Sequence, residues 1–147
     1  MRKLKLYLDT CCFNRPFDDL TNDKVRLESE AILTIIDRCE SNKWDIIKSD
    51  ILYDEILEMP NIIKRQKVLL LYSSASDYIK LNDNIVIRAK ELMKYNIKPY
   101  DSLHLASAEY GNADVFLTTD KKLINLSKKS NINVRVENPN IWLMEVL

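Results

Sequence analysis

The sequence predicts an α/β fold with three layers, α/β/α, around a central and mostly parallel sheet. Short apolar segments with strand character alternate with longer segments of helical periodicity, and this alternation is typical of parallel sheets. The chain has 147 residues, of which 46% are apolar and 30% are charged. That length and balance predict one globular domain, spanning residues 1–147, with its own hydrophobic core.

The first part of the chain supplies two predicted strands and a long helix between them. The strands cover residues 3–9, where the chain reaches Asp9, and residues 44–49. The helix covers residues 24–41, because its apolar residues recur at helical spacing. These inward residues are Leu27, Ala31, Ile32, Ile35 and Ile36.

Two further helices are predicted after the second strand. The first is capped by Ser49 or Asp50 and is closed by Pro60. The second covers residues 61–75. Its predicted inward residues are Ile62, Leu69 and Leu70. Residues 77–81 form either a short strand or only an extended link.

The next elements are two helices and the clearest strand of the chain. A helix over residues 83–96 is capped by Asn82 or Asp83. A helix over residues 100–111 ends on Gly111, the residue type favoured at helix C-caps. The clearest strand lies within residues 113–120 and contains Val115, Phe116 and Leu117 in succession.

The last elements are a helix over residues 121–131, a strand over residues 132–139 and a final short helix. Asn138 is a suitable N-cap for that helix, and Pro139 suits its first turn.

Composition argues against several classes of protein. A formal net charge of zero argues against an avid, non-specific coat on nucleic acid, although it allows a local basic rim. The three cysteines are odd in number and lack C-x-x-C spacing, which predicts free thiols in a reducing compartment. No segment resembles a signal peptide or an apolar span of about 18 residues. A cytoplasmic protein without a membrane segment is therefore expected.

Four acids follow strands or begin helices where the elements of a parallel sheet converge. They are Asp9, Glu55, Asp101 and Asp120. Each alone is most simply a helix cap or a solvated acid. Together they would repel one another at one sheet edge unless a cation held them, and carboxylate ligands favour Mg²⁺ or Mn²⁺ over zinc. Such a site suits phosphodiester hydrolysis.

The spacing of the cysteine, serine and histidine residues argues against other kinds of catalytic or metal site. Cys11 and Cys12 lack the arginine that a phosphatase loop requires, and no cysteine or histidine pair has the spacing of a zinc site. The cysteines are interpreted as small apolar packing residues beneath the site. Ser102 and His104 lack a nucleophile elbow. His104 is either a supporting residue of the acid site or a packed helix histidine.

Three segments, YLDTCCFNRPFDD (7–19), SDILYDEIL (49–57) and KPYDSLHLASAEYGNADVFLTTDKKLI (98–124), together resemble the PIN domain, the nuclease fold of VapC-like toxins. The resemblance implies RNA cleavage that depends on Mg²⁺ or Mn²⁺. It places the family's four acids, in order, on Asp9, Glu55, Asp101 and Asp120. Asp54 competes with Glu55 for the second place.

The resemblance also implies supporting residues around the acids. Hydroxyls that support the acids correspond to Thr10 and to Thr118 or Thr119. Lys121 and Lys122 stand where many members carry a further acid, which weakens the case for a second metal.

Basic residues near the acids are candidate phosphate contacts. Arg15 either contacts RNA phosphate or forms a salt bridge in its loop. Lys98, Lys121 and Lys122 are further candidates, although lysines at such positions are more often simply solvated.

The partners are implied by the family alone. They are an RNA substrate, a small antitoxin protein and a second copy of the chain in a homodimer. The apolar helices between residues 24 and 75 offer a docking surface for the antitoxin, or those residues are simply core. Two other functions remain open: a non-catalytic PIN-like module that binds RNA or protein, and an α/β phosphoesterase acting on small phosphates.

Overall fold

The computed structural model describes residues 2–73 and 77–147. Within them, five strands form one sheet in the order β3–β2–β1–β4–β5, and every neighbouring pair is parallel. The strands are β1 (Lys5–Leu8), β2 (Asp45–Ser49), β3 (Asp77–Ile79), β4 (Val115–Leu117) and β5 (Arg135–Glu137). Helices flank this sheet, so the predicted α/β class with a parallel central sheet is confirmed. Residues 77–79, for which a strand and a link were both open, form a strand.

The helices of the described residues lie close to their predicted positions, apart from the short first helix, which was not predicted. They are α1 (Thr10–Asn14), α2 (Asp23–Glu40), α3 (Asp50–Leu57), α4 (Ile62–Tyr72), α5 (Asp83–Met93), α6 (Pro99–Tyr110), α7 (Lys121–Lys128) and α8 (Pro139–Val146). Ser49 caps α3 and Asn82 caps α5, each accepting a backbone N–H three residues ahead. Asn138 caps α8 as predicted. No helix in the described ranges is long and apolar enough to cross a membrane.

The chain reverses its direction of travel across the sheet beside β1. It runs from β1 outward to β2 and β3, and then returns to build β4 and β5 on the other side. Right-handed crossovers that run in opposite directions place their helices on opposite faces of a sheet. The carboxyl ends of β1 and β4 therefore border the crevice at which open α/β sheets bind ligands.

Aromatic side chains fill the centre of the fold. Tyr7 of β1 stacks on Phe116 of β4 with ring centroids 5.2 Å apart. Trp44, just before β2, meets Trp142 of α8 edge to face at 5.0 Å. Full burial of a large side chain contributes about 1.5–3 kcal/mol, so these contacts hold α8 and the central strands together.

The predicted inward faces of α2 and α4 are confirmed in part, because four residues of α2 are buried and Leu69 of α4 packs partly buried against the core: the four are Ala31, Ile32, Ile35 and Ile36. Three residues predicted to point inward are largely exposed, at 51%, 59% and 72%: Leu27, Ile62 and Leu70. In α4 the buried residues are Val68 and Tyr72, one turn apart. Helical spacing defines an apolar stripe, whereas packing decides which part of a helix faces inward. Residues 74–75 of the predicted helix lie outside the described residues.

Gly111 ends α6 as predicted, although for a different reason. Its φ of −79° is ordinary, and the left-handed residue at this helix end is Asn112, with φ of 56°. A Cβ on Gly111 would lie 2.9 Å from Cδ1 of Ile79. Glycine therefore allows the end of α6 to pack closely on β3.

A buried ion pair ties the turn after α1 to two helices. Glu28 of α2 is fully buried. It accepts one hydrogen bond from Nε of Arg15 at 2.8 Å and another from Nδ2 of Asn138 at 2.8 Å. Arg15 also donates to Asp18 at 3.0 Å. Arg15 was expected either to contact RNA phosphate or to form a salt bridge. In the structure it forms the salt bridge, and its guanidinium is paired with the carboxylates of Glu28 and Asp18.

Removing the arginine should therefore destabilise the fold. We expect Arg15→Ala to lower the free energy of unfolding by about 3 kcal/mol, because Glu28 would remain buried without its cation. Arg26→Ala is the control, since Arg26 forms an exposed pair with Asp23 and should cost less than about 1 kcal/mol. Urea denaturation measures both, and equal losses would contradict the assigned role of Arg15.

Candidate active site

The ends of β1 and β4 are joined by direct hydrogen bonds. The Asp9 N–H donates to the Leu117 carbonyl at 2.9 Å, and the Thr118 hydroxyl donates to Asp9 Oδ2 at 2.8 Å. Oδ1 of Asp9 accepts from the Thr10 N–H at 2.8 Å and so caps α1. The carboxylate of Asp9 is thus buried and oriented at the crevice, and it serves as a helix cap at the same time.

Glu55 reaches the same place from α3. His104 of α6 is fully buried, and its Nε2 lies 3.0 Å from Glu55 Oε1 and 3.9 Å from Asp9 Oδ1. One ligand atom each from Asp9, Glu55 and His104 can be chosen so that all lie within 4.8 Å of one another. Asp54, the competitor of Glu55, instead accepts from the exposed Tyr100 hydroxyl at 3.1 Å. The structure therefore directs Glu55, and not its neighbour, towards Asp9.

Asp101 and Asp120 line a small cavity beside this cluster. Its volume is about 30 Å³, and Lys98 and Lys122 also contribute to its wall. Asp120 caps α7, because its Oδ1 accepts from the N–H groups of Lys122 and Leu123. The four predicted acids thus lie around one end of the sheet, with Asp120 the most exposed of them.

The crowding of carboxylates shifts the proton affinity of Asp101. Its pKa rises from 3.8 to about 6, chiefly because of burial and then because of the charge of Asp9, with smaller contributions from Asp120 and Glu55. His104 opposes this shift. An acid whose ionised form is disfavoured by three other acids is typical of a functional cluster.

Glu55 and His104 form an ion-pair arrangement that favours the charged form of each. Burial alone would raise the pKa of Glu55, but the hydrogen bond and charge of His104 outweigh it, so the pKa is lowered. Burial alone would lower the pKa of His104, but Glu55 and the charge of Asp9 outweigh it, so that pKa is raised. His104 is therefore both a packed helix histidine and a member of the site.

A hydrogen-bond network behind His104 was not predicted from the sequence. His104 Nδ1 lies 2.7 Å from the Tyr7 hydroxyl, which lies 2.7 Å from Ser49 Oγ. Ser49 Oγ in turn accepts from the Leu52 N–H at 3.0 Å. The signal for this network was a tyrosine in an otherwise apolar strand, because a buried phenol requires a hydrogen-bond partner.

The donor and acceptor roles in this network follow from the groups at its two ends, the Glu55 carboxylate and the Ser49 hydroxyl. The Glu55 carboxylate only accepts, so His104 Nε2 carries a hydrogen and donates to it. In the neutral ring Nδ1 then accepts from the Tyr7 hydroxyl, and Tyr7 accepts from Ser49. Burial raises the pKa of Tyr7 well above 10.0, so its hydroxyl keeps its proton. With the neutral ring, a continuous series of donors therefore runs from the start of α3 to Glu55. With the charged ring, which Glu55 and Asp9 favour, Nδ1 instead donates to the Tyr7 hydroxyl.

The cysteines behave differently from one another. Cys39 is buried, and Cys12 is buried with its Sγ 3.3 Å from the Leu117 carbonyl, as the packing interpretation predicts. Cys11 is only partly buried, and it both packs against the core and faces the acid. Its Sγ lies 3.6 Å from Asp9 Oδ2 and 3.4 Å from Thr118 Oγ1. Its position two residues after the N-cap of α1 turns the thiol back towards the acid.

The donor set fits a divalent cation. Thr10 Oγ1 is buried without a hydrogen-bond partner of ordinary geometry among the described residues, although the Thr10 hydroxyl contributes slightly to lowering the pKa of Glu55. Asp9, Glu55 and Asp101 supply carboxylate oxygens, the ligands preferred by Mg²⁺ and Mn²⁺. Of the two candidate threonines, Thr118 is the one whose hydroxyl bonds Asp9. Thr119 is buried beside Asp120 and donates its backbone N–H to Cys11 Sγ at 3.4 Å.

Fold and site together define a class of protein: a parallel α/β domain whose acids gather where β1 and β4 end. The PIN domain family model matches residues 6–129, and this chain belongs to the PIN domain family. A comparison with curated protein sequences gives no significant match.

Three bacterial proteins of known structure share this fold. VapBC2 from Rickettsia felis, bound to a promoter DNA fragment, shares 17% identity with a TM-score of 0.63, over 92% of this chain and 98% of that chain. FitAcB from Neisseria gonorrhoeae shares 18% identity with a TM-score of 0.58, over 91% and 97%. A toxin-antitoxin complex from Klebsiella pneumoniae shares 20% identity with a TM-score of 0.59, over 91% and 97%.

Removing the Tyr7 hydroxyl should destabilise the protein more than removing an exposed one. We expect Tyr7→Phe to cost about 1–3 kcal/mol, because His104 Nδ1 and the Ser49 hydroxyl would lose their buried partner. Tyr100→Phe is the matched control and should change the free energy of unfolding by less than about 0.5 kcal/mol. Urea denaturation in EDTA measures both variants. An equal effect of the two would show that the network contributes nothing.

The raised pKa of Asp101 makes the cation-free protein less stable as the pH rises. The folded state holds the proton more tightly than the unfolded chain, so the free energy of unfolding falls between pH 3.8 and about 6. We expect Asp101→Asn to weaken this pH dependence and to raise stability at neutral pH by about 1 kcal/mol, a value reduced for partial exposure.

The control for that measurement is Asp54→Asn, which changes an exposed acid next to Glu55. Thermal unfolding in EDTA at several pH values compares the two variants with the wild-type protein. Destabilisation by Asp101→Asn at neutral pH would mean that Asp101 is a structural residue, not one that is strained by its neighbours.

Proposed function

We propose that this protein is a metal-dependent endoribonuclease that hydrolyses RNA phosphodiester bonds. The single observation that carries the proposal is the close grouping of Asp9, Glu55 and Asp101, where burial and then the charges of the neighbouring acids raise the pKa of Asp101 to about 6. Such crowding is relieved when a cation binds. Membership of the PIN domain family supports the same activity.

Each acid has a distinct support for this role. Asp9 is fixed by Thr118 and Thr10, so its free edge has a defined direction. Glu55 is held by His104, and a histidine nitrogen that donates to Glu55 is not available as a ligand at the same time. Asp101 and Asp120 complete the oxygen set, which favours Mg²⁺ or Mn²⁺. A bound cation supplies charge neutralisation and activation of water.

Two lysines lie where a phosphate would approach the acids. Lys98 and Lys122 share the wall of the small cavity with Asp101 and Asp120. Their ammonium groups attract the negative backbone of RNA to a site that would otherwise repel it. This arrangement supports a phosphodiester substrate within a protein of zero formal net charge.

The biological role proposed is that of a toxin held inactive by a small antitoxin. One of the structural neighbours is a toxin-antitoxin complex, and apolar side chains on α2 and α4 are exposed, as a partner surface requires. Those side chains include Leu27, Ile63 and Leu70. A homodimer and a cytoplasmic location, where the thiols stay reduced, belong to the same proposal.

The test is an RNA cleavage assay on purified protein freed of any co-purified partner, with Mg²⁺, Mn²⁺ or EDTA. We expect cleavage with a divalent cation, none in EDTA, and a fall of roughly 100-fold or more for Asp101→Asn. Cleavage that survives EDTA, or that is equally fast in the variant, would reject the metal-dependent site.

A matched pair of variants separates the site from its surroundings. Glu55→Gln should lose cleavage, whereas Asp54→Asn, one residue earlier on α3, should keep it. Both proteins should bind the same RNA. Binding without cleavage in the wild-type protein, together with no measurable affinity for Mn²⁺, would favour a non-catalytic RNA-binding module.

A further inference from the structure

A second cavity lies across α7 from the acid cavity. Its volume is about 310 Å³, large enough for part of a nucleotide. Its wall on α7 comprises Lys121, Ile124, Asn125 and Lys128, whereas Lys122, Leu123 and Leu126 of the same helix face the acid cavity. The other wall comprises Lys24 at the start of α2 and the segment from the end of β5 to the start of α8. We call this site the basic cavity.

The basic cavity carries positive charge that the protein leaves unused. In the described part of the chain, Lys24, Lys121 and Lys128 have no ion-pair partner. The one acid in the wall, Glu137, already faces Arg135 at 3.4 Å and accepts from the Asn138 N–H at 2.9 Å. These three lysines lie on two walls of the cavity, and their unpaired charges indicate an anionic ligand.

The same cavity offers surfaces that suit a base. Ile124 and the half-exposed Ile141 supply apolar contact area. The Asn125 amide has no hydrogen-bond partner among the described residues, so it is free to bond a base edge. Apolar surface, a free amide and cations in one cavity match a nucleotide better than they match an inorganic anion.

The basic cavity adjoins the acid cluster at the start of α7. Thr119 lines it, and the neighbouring Thr118 hydroxyl holds Asp9. Lys121 lines it directly after Asp120, which borders the acid cavity. An RNA strand that crosses the start of α7 would therefore contact both cavities.

We infer that the basic cavity binds the nucleotide next to the scissile phosphate of single-stranded RNA. Lys24 and Lys128 contact its phosphates from opposite walls, and Ile124, Ile141 and Asn125 contact its base. This inference rests on the proposed ribonuclease function and adds a binding subsite to it. The subsite fixes the position of the substrate, and the acids carry out the reaction.

The test is RNA binding in EDTA, which prevents cleavage by the proposed site. The probe is a fluorescein-labelled single-stranded RNA of about twelve nucleotides, followed by anisotropy from low to high salt. Each phosphate contact adds about 0.7 to the slope of log K against log salt concentration. We expect Lys128→Ala to reduce the slope by about 0.7, and Lys24→Ala with Lys128→Ala to reduce it by about 1.4.

The chain provides a control one residue away. Lys129 is exposed and does not line the basic cavity, so Lys129→Ala removes the same charge from the same helix end and should leave the slope unchanged. Ile141→Ala should weaken binding at constant slope. Equal slopes for Lys128→Ala and Lys129→Ala, wild-type affinity in Ile141→Ala, or no binding of the probe by the wild-type protein would each overturn the inference.

The outcome is separable from that of the proposed function. RNA cleavage together with a Lys128→Ala variant that binds like Lys129→Ala would reject the subsite and leave the nuclease in place. Binding that depends on Lys24 and Lys128, without cleavage in any metal, would reject the nuclease and keep the subsite as the contact of an RNA-binding module.

Discussion

The hydrogen bond from Thr118 to Asp9 is the constraint on which the site depends. It joins the ends of the two central strands at the place where the chain reverses its direction across the sheet. Because β1 and β4 are parallel neighbours, their carboxyl ends meet at one edge, and the acids that follow them must meet as well. The fold buries Asp101 and concentrates negative charge around it, and both effects raise the pKa of its carboxyl group.

Much of this arrangement could be predicted from the sequence. Asp9 and Asp120 are recognisable because they follow strands that share an edge, and Glu55 and Asp101 because they lie near helix starts expected at that same edge. The PIN resemblance points to the same four residues. The interpretation of Asp9 and Asp120 as helix caps was also correct, since both are caps in the structure. Capping and a place in the acid cluster are compatible, because each carboxylate has a second oxygen.

Other features depend on tertiary packing, which a local sequence pattern does not show. The spacing of Leu70 and Ile62 indicated an apolar stripe, but α4 is rotated so that Val68 and Tyr72 face inward. Tyr7 looked like an ordinary strand residue, and only the approach of α6 in space gives its hydroxyl a histidine to bond. The partners of Arg15 could not be predicted either. The burial of Glu28 depends on how α2 and α8 pack, which the sequence around Glu28 does not show.

Ser49 has two structural roles. Its side-chain oxygen caps α3, and its hydroxyl is the first group in the series of hydrogen bonds that ends at Glu55. The first turn of α3 and the orientation of Glu55 are therefore parts of one cooperative unit. If that turn opens, the tyrosine loses its hydrogen bond to Ser49 and the Glu55 carboxylate loses its fixed geometry in the same event. The Leu52 amide becomes a natural reporter, because its rate of hydrogen exchange measures how often the site is disassembled while the rest of the protein remains folded.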